Sequence, residues 1–146
     1  MERKDPFSNF RFFIELDNMM SAGFSEVSGI ESKIEIETYK EGGVNDRVYS
    51  YPTGTTHSEI VLRRGLTYSM DFWYWYDKTT RGKIERKSGA IVLVDENLEE
   101  QVRWSFYNAY PVYWKGPQLN ANMSDIAIEE VHLVHEGIKM SKKKRS

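Results

Sequence analysis

Cysteine is absent from this 146-residue chain, which removes disulfides, thiolate catalysis and cysteine-ligated zinc or iron–sulfur sites. Strong charge of either sign is absent too. A formal net charge of −2 leaves no overall positive field to gather nucleic acid. No apolar run nears the roughly 18 residues that a membrane-spanning helix needs. The N-terminal stretch MERKDPFSNF lacks the apolar core of a secretory signal. The expectation is therefore a chain made and folded in a cytosol, without a cleaved signal and without stable membrane insertion. Nucleophile elbows, P-loops and dinucleotide fingerprints are missing, and Gly42-Gly43 is not followed by Gly-Lys-Ser/Thr. Internal repeats at solenoid periods are missing as well.

What is present is ordinary in bulk and unusual in detail. Apolar residues make up 40% and charged residues 29%, enough for one domain with a sizeable core. Aromatics reach 14%, with nine Tyr and four Trp, rigid amphipathic side chains favoured in cores and at protein–protein contacts. The polar residues 1–8 read as an N-terminal arm. Phe10, Phe12, Ile14 and Leu16 alternate with Arg11, Phe13 and Glu15, a strand period. Phe24 to Val27 reads as a short second strand. Ile30–Tyr39 is the cleanest alternation: Ile30, Ile34 and Ile36 share one face, Glu31, Lys33, Glu35, Glu37 and Tyr39 the other. This pattern predicts one buried face and one wet, mostly acidic face.

Residues 40–56 carry Gly42, Gly43, Asn45, Pro52 and Gly54 and read as one long loop. Loops of that length are functional or disordered, and Val48, Tyr49 and Tyr51 predict one that packs on something. Ser58–Arg63 alternates again. From Leu66 to Thr80 the period changes to that of a helix, with Thr67 as its cap, Gly82 as its end, and Trp73 and Tyr76 turned to the core. Ile84–Val94 and Gln101–Tyr107 form a predicted hairpin around Asp95-Glu96-Asn97, with Asn97 in the left-handed position. The last strand spans Asp125–Glu136, and its alternation slips at Glu129-Glu130, as at a bulge. Residues 139–146 read as a basic tail ending in Lys142-Lys143-Lys144-Arg145. The sum is a mainly β domain: an antiparallel barrel or sandwich with one flanking helix.

Chemistry is harder to find. His132 and His135 stand three apart, not at the spacing that sets two imidazoles on one helical face, and a metal would need His57 and a carboxylate from elsewhere. No carboxylate pair stands out. The aromatic run Phe72–Tyr76 fits core packing better than a stacking platform. The expectation is no catalytic residue, no cofactor and no metal. One hint favours assembly: a long alternating strand with no Pro and a single Lys either closes a barrel or pairs with copies of itself. In a ring of copies, the face bearing Glu31, Lys33, Glu35 and Glu37 would line a channel.

Four blocks, in order, resemble the tail tube proteins of contractile phage tails and of bacterial contractile injection systems. The first is Asp5-Pro6-Phe7 with Phe10-Arg11-Phe12 and Gly23–Gly29. The second is Tyr39–Gly43 with Asn45 and Pro52-Thr53-Gly54. The third is Val61–Thr67 with the Trp-rich helix, and the fourth runs from Trp104 to Ile138. The resemblance covers nearly the whole chain and extends to the hemolysin-coregulated tube protein of type VI secretion. It implies hexameric rings stacked into a hollow tube inside a sheath, carrying DNA or effector cargo, with sheath, baseplate and spike proteins as partners. It further implies that Ile30–Tyr39 and Ser58–Arg63 are inner-barrel strands. It makes the loop residues Gly42, Gly43, Asn45, Val48, Tyr49, Tyr51 and Pro52 the inter-subunit or inter-ring contact. Such a chain is made in the bacterial cytoplasm and ends in a phage tail or contractile particle. A tube-initiating baseplate protein of the same fold is the alternative; a small β-barrel ligand-binding module is a remote one.

Overall fold

Ten strands and one helix make up the described residues of the computed structural model, which are 10–17, 19–21, 24–42, 47–122 and 126–143. The strands are β1 (Arg11–Leu16), β2 (Met19–Ser21), β3 (Phe24–Ser28), β4 (Ser32–Glu41), β5 (Arg47–His57), β6 (Ile60–Gly65), β7 (Lys87–Val94), β8 (Glu100–Lys115), β9 (Ile128–Val134) and β10 (Gly137–Lys142); helix α1 spans Asp71–Thr80. All pairings are antiparallel. The larger sheet runs β2-β1-β7-β8-β9-β6-β3, with β10 on β8; β4 and β5 form a separate ribbon. The larger sheet curls until β3 meets β1, but no ladder joins them, so the expected barrel is only half closed.

Strand β8 organises the body. Its first half pairs with β7 on one edge and β10 on the other, and its second half pairs with β9. Asn108 sits at the change of partner with φ 52, a left-handed backbone that Asn tolerates better than most residues. Its amide N–H donates to Ser88 Oγ and its side chain to Glu136 Oε2 at 2.7 Å. The inward residues form one cluster that includes Ile14, Leu16, Phe24, Ile60, Leu62, Ile91, Phe106, Val131 and Leu133.

The helix begins at Asp71, later than its sequence period suggests, because Thr67 and Ser69 spend their hydroxyls on local turns. Thr67 Oγ1 accepts from Ser69 N–H and Ser69 Oγ from Asp71 N–H. Phe72 and Trp75 are the buried pair, three apart on one face, whereas Trp73 and Tyr76 are half-buried. Trp75 stays satisfied inside by donating its indole N–H to the Glu85 carbonyl at 2.7 Å. Gly82 ends the helix as expected. Its φ of 78 permits a closing pair of bonds, Gly82 N–H to the Thr79 carbonyl and Lys83 N–H to that of Lys78.

Three further expectations are corrected. Leu98, not Asn97, takes the left-handed position (φ 62) in the β7–β8 turn, because Asp95 Oδ1 accepts the N–H groups of both Asn97 and Glu99 and fixes the backbone between them. Lys139–Lys142 is no tail: it belongs to β10, and Lys143 N–H continues to the Gln101 carbonyl. The alternation in β9 does not slip. Glu129, Val131 and Leu133 all point inward in a regular register with β6, so Glu129 is a charged residue at a core position.

Candidate assembly surface

The ribbon β4–β5 replaces most of the expected loop at residues 40–56. Arg47–His57 is a strand, despite Pro52 and Gly54, because a bulge absorbs them: pairing passes from Glu35↔Gly54 to Ile36↔Pro52 and skips Thr53. Thr53 Oγ1 donates back to the Glu35 carbonyl at 3.2 Å. Antiparallel partners share a face, so the register assigns every side chain. Lys33, Glu35, Glu37, Tyr39 and Glu41 lie with Thr56, Tyr51, Tyr49 and Arg47 on one face; Ile34, Ile36, Thr38 and Lys40 lie with Thr55, Pro52, Ser50 and Val48 on the other.

The two groups of residues singled out from the sequence are thus merged. Lys33, Glu35 and Glu37 stand in a row, and Tyr49 and Tyr51, read as loop contacts, stand beside them. Tyr39 stacks on Tyr49 at 5.4 Å between ring centroids, and Tyr51 Oη donates to Glu37 Oε2 at 3.0 Å. Glu31 is set apart. It precedes β4, and its Oε2 accepts from Ser58 Oγ at 2.8 Å, tying together the two ends of the ribbon at its root. Val48 and Pro52 lie on the opposite, apolar face. Gly42 borders the tip in open space, while Gly43 and Asn45 lie outside the described residues.

The expected burial of one face is absent in the single chain. Every β4 residue is exposed, Ile34 at 59% and Ile36 at 60%. A lone two-stranded ribbon with an uncovered apolar face is marginal in water. Ser58–Arg63, by contrast, is no companion of β4. As β6 it pairs with β3 and β9 in the body, with Ile60 and Leu62 fully buried.

A second feature was not singled out from the sequence. Arg64 and Glu129 are each only 4% exposed, and Arg64 Nε donates to Glu129 Oε1 at 2.6 Å. A second guanidinium nitrogen of Arg64 donates to Asp71 Oδ1, the guanidinium lies 4.0 Å from the Phe72 ring centre, and Trp114 Nε1 donates to Glu129 Oε2 at 3.2 Å. Burial alone would raise the Asp71 pKa. The hydrogen bond and charge of Arg64, with the Phe72 N–H, outweigh it and hold Asp71 below the usual carboxylate range. This network pins the N-terminus of α1 to β6 and β9. Its signal in the sequence is Glu129 at an inward position, which a reading of apolar alternation alone takes for a slip. Among the described residues, no three His, Asp or Glu side chains gather closely enough to hold a metal.

Comparison with known proteins places this architecture. The family of the T4-like virus tail tube protein gp19 matches residues 8–139. A search of curated protein sequences finds no match. Among solved structures, the tube-terminating cap of the anti-feeding prophage aligns with a TM-score of 0.88 at 21% identity, covering 98% of this chain and 95% of that one. The sheath–tube complex of the extracellular contractile injection system PVC in its extended state aligns at 0.86 and 24% identity, covering 94% and 93%. Hcp1 from Flavobacterium johnsoniae aligns at 0.60 and 18% identity, covering 91% and 96%. At these identities the structures establish a shared fold, and the family match over residues 8–139 establishes the rest: the chain belongs to the T4-like virus tail tube protein family.

Proposed function

We propose that the chain is the structural subunit of the inner tube of a contractile tail or injection system, and that copies form six-membered rings stacked into a hollow conduit for DNA or protein effectors. The observation that carries this reading is the β4–β5 ribbon. It projects from a folded body with its apolar face uncovered, in a member of a tube family. Ribbons from neighbouring copies, set side by side, continue one sheet around a ring. Ile34, Ile36, Val48 and Pro52 then pack outward on neighbouring bodies, and Lys33, Glu35 and Glu37 face the lumen with the tyrosines. The end of the ribbon at Gly42 faces the next ring. Sheath and baseplate proteins are its partners. The reading assigns the chain no catalysis.

The test replaces Ile34 and Ile36 together by Asp. Electron microscopy of the concentrated wild-type chain should show rings or tubes, and the double variant should stay monomeric with an unchanged circular dichroism spectrum. Tubes formed normally by the variant would sink the proposal. A second reading, a ring of the same fold at one end of the tube, is supported by the likeness to the tube-terminating cap structure. Its mark would be a few copies per native particle and no self-extension.

A further inference from the structure

Two imidazoles meet where the ribbon joins the body. His57 ends β5 and His135 follows β9, and their ring centres are 5.1 Å apart, tilted by 43°. His135 Nε2 lies 3.0 Å from the Ser58 carbonyl, which can only accept, so the proton of the neutral ring sits on Nε2 and the lone pair on Nδ1. The Nδ1 atoms of both rings are buried and have no hydrogen-bond partner. A proton added to either ring therefore brings a cation into a partly buried site beside the other ring.

The surroundings offer no net compensation. Glu31 and Lys33, of opposite sign, line the cleft of about 470 Å³ against His57. From the β5–β6 link, Glu59 is engaged with His132 Nδ1 at 3.2 Å, and from the β9–β10 turn, Glu136 with Asn108 at 2.7 Å. Burial, the largest cause, and the neighbouring His57 lower the His135 pKa, against the Ser58 carbonyl and the nearby Gly137 backbone, which raise it. The root has little slack. Gly29 holds φ 84, and a Cβ there would stand 1.9 Å from the Glu59 carbonyl oxygen.

We propose that the contact between His57 and His135 is an acid-sensitive latch: with His135 neutral it holds the root of the β4–β5 ribbon against the body, and with His135 protonated it lets the root go. The latch acts within one chain and is independent of how copies assemble. The sign is fixed by burial: the closed state is favoured above the ordinary histidine range and is lost as pH falls through and below about 6.5.

Hydrogen exchange of the purified full chain at pH 7.5 and pH 5.5, corrected for the intrinsic pH dependence of exchange, reads this directly. Protection at residues 29–33 and 55–59 should fall severalfold at the lower pH, while Lys87–Val94 in β7 stays protected. The variant carrying both His57→Gln and His135→Gln should show no such pH dependence. Protection that is equal at the two pH values, or the same loss in the double variant, would overturn the latch. Should that variant misfold, a histidine ring titration by NMR on the wild type decides. The His135 ring should titrate together with the amides of Ile30–Ser32; a ring that titrates while those amides stay still would also overturn it.

Discussion

Leu98 holds a left-handed backbone in the β7–β8 turn, a conformation that costs a branched, Cβ-bearing residue roughly 1 kcal/mol. Leu98→Gly should therefore raise stability by up to about 1 kcal/mol, offset in part by the extra entropy of glycine in the unfolded chain; urea denaturation will measure it, and a loss of stability would mean that the exposed leucine is held for another reason. Arg64 gives the opposite sign. Arg64→Leu strands the carboxylates of Glu129 and Asp71 and should cost about 3–5 kcal/mol in the same assay. Acid probes the same network. Because the folded pKa of Asp71 is depressed, its contribution is complete above the unfolded value near 4 and drains away as pH falls through the folded value. The urea midpoint should thus drop more steeply below pH 4 in the wild type than in Asp71→Asn, and parallel curves would remove Asp71 from the account.

Legibility from the sequence differed between elements for identifiable reasons. β1, β7, the first half of β8 and β9 were readable because a half-buried strand alternates with period two, and their inward residues Ile14, Ile91, Phe106 and Val131 reach the core. The β4 strand was readable too, yet its burial was misjudged, because Ile34 and Ile36 alternate for a surface this single chain does not contain. β5 was lost to its turn residues: Pro52 and Gly54 argue for a loop unless a bulge is allowed between them. β10 was hidden by lysines that face outward from an edge position. Of the site residues, the register sets Lys33, Glu35 and Glu37 on one face, leaves Glu31 outside the ribbon, and separates Tyr49 and Tyr51 from Val48 and Pro52. Of the network of Arg64, Asp71 and Glu129, only Glu129 leaves a mark in the pattern, because its partners come from β6 and α1 and meet it only in the fold. At this scale Trp75→Ala should be among the costliest changes in the helix, about 3–5 kcal/mol, whereas Tyr74→Ala, on the exposed face, should change stability by no more than about 0.5 kcal/mol.

Across the whole molecule, body and ribbon contribute very differently. No residue between Glu31 and His57 belongs to the buried core of the described residues, whose nearest members along the chain are Phe24 and Ile60. Replacing residues 32–57 by a short glycine–serine linker should leave a monomer that melts within a few degrees of the intact chain, a shift corresponding to about 1 kcal/mol or less. A collapse of the melting transition would show that the ribbon supports the body. β8 bears on the molecule in another way. Its hydrogen bonds to β7, β9 and β10 run across the strand axis, so a pull along β8 strains many of them at once and cannot peel them apart one by one. The sixteen-residue strand is thus a tie rod: tension applied between Glu100 and Lys115 is spread over three neighbours, and the body yields to force along that line later than along any line that unzips an edge.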